Sequence, residues 1–164
     1  MEKISILVVD DEAIIRNILA KGLSEYEDLD VIEAFSCGKD ALDFLEKNEG
    51  DDINVILLDL MMPGENGIEV LKKIKGLYPD IKIIMLTSTI KSKYIMESLD
   101  NDVDGYIYKD IDFHTLASKI RLVNSGIFYS DEIINEDIEK YKVYSSKKKK
   151  LMESFQTLTK RELE

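Results

Sequence analysis

The 164-residue chain has room for one domain of ordinary size and a short appendage, and its apolar share of 45% is enough for a buried core. No apolar run approaches the roughly 18 residues of a membrane helix, acid residues interrupt the N-terminal stretch MEKISILVVDD before it could act as a signal peptide, and the lone Cys37 builds no disulfide framework, so a cytosolic protein is expected. The net charge of −11 lies wholly in residues 1–125, with 14 basic against 25 acidic side chains, while residues 126–164 carry 8 of each; the first part repels nucleic acid, and any contact with DNA falls to the residues after 125.

Five short apolar runs rich in β-branched residues alternate with helical patterns along the chain. The first run is Ile4–Val9, followed by Ile14, Ile15, Ile18, Leu19 and Leu23 at helical spacing. Leu29–Ala34 comes next, then Ala41, Leu42 and Leu45, again spaced as one face of a helix. The third run, Ile53–Leu58, contains Val55-Ile56-Leu57-Leu58 with no polar alternation, as expected of a central parallel strand covered on both faces. Ile81–Leu86 and Val103–Tyr108 complete the set. A fifth helix is predicted over Asp112–Asn124, stopped by Ser125-Gly126. GIFYSDE (Gly126–Glu132) reads as a connection, and Asp131 to about Phe155 as a polar helical stretch containing the run Lys147–Lys150, read as a solvated face in preference to a DNA-backbone contact. The alternation predicts an α/β, doubly wound (βα)5 fold with a parallel sheet and helices on both faces. Ligands of such sheets bind at the carboxyl ends of the strands, where strand order reverses.

Those strand ends carry the chemistry. The first run ends in Asp10-Asp11, the third in Asp59, the fourth in Thr87-Ser88 and the fifth in Lys109. Each is weak by itself: Asp10-Asp11 alone reads as a helix start, and Asp59 as an ordinary loop aspartate. Together, three carboxylates at one end of a sheet repel one another and raise the pKa of at least one, a conflict that a divalent cation removes. Hard oxygen ligands suit Mg²⁺. A phosphoryl group on Asp59 would then need its equatorial oxygens neutralised, for which Lys109 offers a point charge and Thr87 a hydroxyl donor. The product would be an aspartyl phosphate.

The motifs VVDDE (Val8–Glu12), LLDLMMPGENG (Leu57–Gly67), MLTS (Met85–Ser88) and DGYIYKD (Asp104–Asp110) resemble those of response-regulator receiver domains, in order and at suitable spacing over roughly residues 3–125. The resemblance implies a flavodoxin-like sheet in the order 2-1-3-4-5 and a signalling switch rather than a turnover enzyme. It makes Asp59 the phosphoacceptor, with Mg²⁺ held by Asp10, Asp11, Asp59 and the Met61 backbone carbonyl. Lys109 contacts the phosphoryl group, Thr87 with Ser88 supplies the switch hydroxyl side, and Tyr106 is the switch aromatic. The phosphodonor histidine would lie on a partner histidine kinase, since the one histidine here, His114, is expected at the surface. Tyr108 is taken as packing, Cys37 as inert, and Met61-Met62 as either partner surface or loop packing. Two departures stand out: Asp110 follows the lysine where many members have proline, and Asn101-Asp102 stands where Ala-Gly is frequent.

The tail LTKRELE (Leu158–Glu164) spaces Thr159 and Glu162 as a capping box, the mark of a helix start. It resembles the opening of the helix-turn-helix domain of NarL/FixJ-type (LuxR-like) regulators, and a helix signal with so few residues behind it suggests a cut chain. The expected organisation is a receiver over 1–125, a linker over 126–156 and the first residues of a DNA-binding domain over 157–164. A transcription regulator that forms a homodimer on phosphorylation, and meets DNA only through the missing helix-turn-helix domain, is the implied function. A stand-alone receiver signalling by protein contact is the rival within the family. A Mg²⁺-dependent phosphatase of the haloacid dehalogenase type is the rival outside it, but its D-x-D nucleophile arrangement is not matched by the adjacent Asp10 and Asp11.

Overall fold

A computed structural model describes residues 2–48, 50, 52–88, 91–109 and 112–163, the side chains of 132–137 and 158–163 excepted. In chain order the elements are β1 (Ile4–Val9), α1 (Ala13–Leu23), β2 (Leu29–Phe35), α2 (Gly38–Lys47), β3 (Val55–Asp59), β4 (Met61–Met62), β5 (Glu65–Asn66), α3 (Gly67–Leu77), β6 (Lys82–Thr87), α4 (Ser92–Asp100), β7 (Gly105–Tyr108), α5 (Phe113–Asn124), β8 (Tyr129–Ser130) and α6 (Glu132–Leu163). The main sheet runs β2-β1-β3-β6-β7-β8, and all its pairings are parallel. The five anticipated strands thus stand in the anticipated order, with β8 added at the edge.

Alternation along each strand divides the core between the two faces. Leu7, Val9, Ile56, Leu58, Ile83 and Met85 point to the side covered by α2, α3 and α4; Ile6, Val8, Val55, Leu57, Ile84 and Leu86 point to the side covered by α1 and α5. This explains the unbroken apolar run in β3, every residue of which is buried. Local signals fix the helix ends: Asn66 Oδ1 accepts from the Ile68 N–H at 2.9 Å to cap α3, and Asp112 Oδ1 accepts from the Thr115 N–H at 2.8 Å to cap α5. Gly126, at φ +96°, ends α5 as a left-handed residue should. Asp102 also takes a left-handed φ of 61°, at the position where the resemblance leads one to look for glycine.

Three expectations need correcting. GIFYSDE is more than a connection, because Tyr129–Ser130 pair with Gly105–Tyr106 as a sixth strand. In α1, Leu19 and Leu23 are buried, but Ile14 and Ile18 face solvent, so the helix spends only part of its apolar stripe on the core. Finally, α6 continues to Leu163, and Thr159 lies inside it instead of heading a new helix. A capping box acts only if its first residue leaves helical geometry, and no Gly or Pro interrupts the chain between Glu132 and Glu164. The root of α6 packs on α4: Ile138 joins the core beside Ile95 and Tyr106, and the Tyr141 hydroxyl donates to Asp100 Oδ1 at 2.9 Å. Further along, Val143, Tyr144, Leu151, Met152 and Phe155 are exposed. No described helix is long and apolar enough to cross a membrane.

Candidate phosphoacceptor site

The carboxyl ends of β1, β3, β6 and β7 bring Asp10, Asp11, Asp59, Thr87 and Lys109 together, beside the switch between β1 and β3. Asp10 follows β1 directly and Asp59 closes β3; they are 1% and 3% exposed, while Asp11 is half-buried. Carboxylate oxygens of all three lie within 4.8 Å of one another. Lys109, just past β7, spans the pair, with Nζ 2.9 Å from Asp10 Oδ2 and 3.1 Å from Asp59 Oδ1. Backbone donors complete the pattern: the Met61 N–H reaches Asp59 Oδ1 at 3.3 Å, and the Glu12 N–H reaches Asp10 Oδ1 at 2.9 Å.

The electrostatics follow from that crowding. Burial, and then the charge of Asp10, push the Asp59 carboxyl up to about 6, with Lys109 offsetting part of the rise. At Lys109 burial works against the charge, but the hydrogen bond to Asp10 and the charges of both aspartates hold its pKa above the ordinary value. One ammonium is therefore shared by two buried carboxylates with a third beside them. That donor set is hard, anionic and short of positive charge, as a Mg²⁺ site must be, so Asp10, Asp11 and Asp59 fit the cation expected from the sequence.

Thr87 ends β6, buried, and its carbonyl accepts the Lys109 N–H at 2.7 Å. Ser88 is exposed at the rim. Tyr106, on β7, is 1% exposed and belongs to the core. Its hydroxyl is buried without a well-formed hydrogen bond among the described residues; burial raises its pKa, and the neighbouring Thr87 side chain lowers it only in part. Met62 packs into the core whereas Met61 is 51% exposed next to the site, which separates two residues that the sequence leaves equivalent. His114 is exposed, as expected, and Cys37 is half-buried. Asp110 lies outside the described residues.

Two contacts had no signal in the sequence. Arg16 Nη1 donates to the Asp10 carbonyl at 2.7 Å, bracing the turn that carries the acidic pair. Asp131, directly after β8, accepts from the Tyr108 N–H at 2.7 Å, one residue before Lys109.

Residues 6–121 match the family described as response regulator receiver domain. The chain is 34% identical over 163 residues to the response regulator protein VraR of Staphylococcus epidermidis, an alignment covering 98% of this chain and 73% of the relative. Over 123 residues it is 36% identical to the transcriptional regulatory protein LnrK of Bacillus subtilis, covering 75% of this chain and 54% of that protein. Among solved structures, the isolated receiver domain of RcsB from Salmonella enterica serovar Typhimurium, determined with the phosphomimetic BeF3⁻, is 25% identical with a TM-score of 0.73, covering 83% of this chain and 99% of that one. A LuxR-family regulator from Aurantimonas has a TM-score of 0.77 at 20% identity, covering 87% of this chain and 99% of that one, a likeness of fold.

Proposed function

The chain belongs to the response regulator receiver domain family, and on that premise we propose that it is a signalling switch in which Asp59 takes a phosphoryl group from a partner histidine kinase in a Mg²⁺-dependent reaction. The observation that carries this reading is the buried Asp59 carboxylate, tied by Lys109 to Asp10 with Asp11 alongside. Asp59 attacks in its ionised form. One carboxylate oxygen forms the new bond to phosphorus in line with the departing imidazole nitrogen, which keeps the electron pair of the broken bond and ends on the kinase. Lys109 already stands within reach of the attacking carboxylate, so its ammonium takes one phosphoryl oxygen as charge builds there. Thr87 offers its hydroxyl to another. Asp10, Asp11, Asp59 and the Met61 carbonyl would hold Mg²⁺, which supplies the positive charge that lets a phosphate approach an acidic pocket. Intact-mass measurement tests the reading: an acyl phosphate donor with Mg²⁺ adds one phosphoryl group, and excess chelator abolishes the addition while the circular dichroism of the fold is unchanged. Undiminished labelling in chelator would sink the Mg²⁺ requirement.

Asp11→Ala is expected to weaken Mg²⁺ binding at least about tenfold while leaving the fold intact, because Asp11 belongs to the carboxylate cluster but is only half-buried. Titration calorimetry reads the change, and an unaltered affinity would remove Asp11 from the metal site.

In the signalling step, Thr87 moves toward the phosphoryl oxygen and so away from the buried Tyr106 hydroxyl beside it. The ring then resettles against α4 and the root of α6, a packed surface that has discrete arrangements. Thr87→Ala should still be phosphorylated, but chemical-shift changes on phosphorylation around Tyr106 should fall to less than about half their wild-type size. Equal changes in both proteins would refute the coupling.

We further read residues 1–125 as the receiver, 126–156 as a linker and 157–164 as the opening of a LuxR-type DNA-binding domain, now with the linker helix running unbroken into that last segment. On this reading the longer protein is a transcription regulator that dimerises when phosphorylated, and the kinase meets the rim around Asp59, where Met61 is exposed and Ile14 and Ile18 of α1 face solvent.

A further inference from the structure

β7 has two neighbours of very different length. On one side β6 pairs along its whole span, Ile84–Thr87 against Gly105–Tyr108; on the other, β8 is two residues long and pairs only with Gly105 and Tyr106. The next donor on that open edge is the Tyr108 N–H, and a side chain takes it: Asp131 Oδ2 accepts it at 2.7 Å. The same residue's N–H donates to the Tyr106 carbonyl at 3.3 Å, so Asp131 continues the ladder one step beyond its backbone pairing. Its other carboxylate oxygen, Oδ1, accepts the Tyr129 hydroxyl at 2.8 Å, and the Tyr129 ring is held by Lys119 Nζ, 4.2 Å from its centroid. The carboxylate is thus held by Tyr129 through one oxygen and by β7 through the other.

The strand end it grips is the one that launches Lys109. On the far side the Lys109 N–H donates to the Thr87 carbonyl at 2.7 Å, so the two peptides flanking Tyr108 are held from opposite sides, one by Asp131 and the next by β6. From this clamp the lysine stem reaches Asp10 and Asp59. Asp131 lies ten residues past the span 6–121 matched by the family, in the linker.

We propose that Asp131 is a positioning residue for the phosphoacceptor centre, holding the end of β7 so that the Lys109 ammonium sits where the transferred phosphoryl group needs it; this rests on the reading of Asp59 as the acceptor. It also means that the linker, through β8 and Asp131, helps to set how fast the receiver accepts phosphate. Displacing an electrostatic partner by a fraction of an ångström to an ångström penalises the reaction far more than it penalises binding of the reactants.

The test uses the 164-residue chain, an acyl phosphate donor and saturating Mg²⁺. Asp131→Ala should lower the maximal rate of Asp59 phosphorylation about tenfold, with the donor KM and the Mg²⁺ affinity changed less than about twofold. Amide hydrogen exchange at Tyr108 should rise in the same variant. Asp131→Asn keeps an acceptor for the Tyr108 N–H and an amide that can donate to the Tyr129 oxygen, so it should restore most of the rate. Tyr129→Phe, which removes only the hydroxyl that orients the carboxylate, should give an intermediate loss even if Asp131→Ala proves poorly folded. Wild-type maximal rates in Asp131→Ala and Tyr129→Phe would overturn the proposal, as would a full loss in Asp131→Asn, which would point to charge and not to the hydrogen bond. An unlabelled wild type, or a labelled Asp59→Asn, would instead overturn the acceptor reading itself.

Discussion

Asp59→Asn is expected to take up no phosphoryl group from any donor, and also to unfold at a higher temperature than the wild type at neutral pH. The first result follows from position. Asp59 is the one of the three clustered carboxylates that ends a strand, β3 at the buried centre of the sheet, with Lys109 Nζ 3.1 Å from Oδ1 and the Met61 N–H donating to the same oxygen. Asparagine keeps the shape but offers no nucleophilic oxygen at any ordinary pH. Intact mass decides this part, and label at the wild-type level in the variant would mean that another residue is the acceptor. The second result follows from the raised pKa. A carboxyl with an ordinary value of 3.8 that is pushed up to about 6 by burial and Asp10 binds its proton more tightly folded than unfolded. Its favourable contribution is complete below pH 3.8 and is lost as the pH rises through 6, so the ionised side chain weighs against the fold at neutrality. Replacing it should add about 1–3 kcal/mol at pH ~7.5 and close to nothing at pH ~4. Mg²⁺ should narrow the gap at neutral pH, because the cation binds only the wild-type folded state well. Thermal unfolding at both pH values checks the sign; a gap that failed to widen with pH would show that Asp59 is not strained by its neighbours.

Gly67→Ala should be the most damaging methyl group that can be added to this protein near the site. Gly67 opens α3, and its N–H donates to the Leu60 carbonyl at 2.9 Å, folding the turn from Asp59 back onto the helix start. A Cβ there would press on the Asp59 carbonyl oxygen and lie 2.9 Å from both the Leu60 Cα and the Leu60 carbonyl oxygen. All three are backbone atoms, so no rotamer change relieves the clash, and the segment carrying Asp59 and Met61 must move as a whole. The expected loss is about 2–4 kcal/mol, seen as a fall in Tm of about 5–12 °C, together with slower phosphorylation. Gly76, nine residues along the same helix, meets nothing within 4 Å. Gly76→Ala should therefore stabilise by about 0.5–1 kcal/mol through helix propensity alone. The opposite signs of two identical changes in α3 separate close approach from propensity; a matching small gain at both positions would show that the turn is looser than its packing implies.

Much of this site is legible in one dimension because a parallel strand ends where its apolar run ends. Ile4–Val9 is a strand to the residue, and Asp10, Asp59, Thr87 and Lys109 sit at strand ends because polar side chains cannot continue into a sheet covered on both faces. Small boundary errors have a local cause: Ile53 and Asn54 precede β3, since the Asn54 backbone turns to bond Ser5 and Lys82 from outside the ladder. Other features could not be read. β8 has only Tyr129 and Ser130, too short for any periodicity, and exists because β7 leaves an edge to pair. Thr159 carries a sound local signal that loses to uninterrupted helical propensity on both sides. The 99-residue separation of Lys109 from Asp10, and the approach of Asp131 to Tyr108, depend on strand order and register, which no single segment encodes.

α6 gives these small movements mechanical reach. Its 32 residues rise about 48 Å, and the contacts of Ile138 and Tyr141 with α4 and the core lie within its first third. The remainder extends past that anchorage, with Val143, Tyr144, Leu151, Met152 and Phe155 exposed. The 22 residues beyond Tyr141, as far as Leu163, rise about 33 Å, so a tilt of about 10° at that anchorage would sweep Leu163 through ~6 Å, more than the separation of neighbouring strands. A shift of a fraction of an ångström in the receiver core can in this way become a displacement of several ångströms at Leu163.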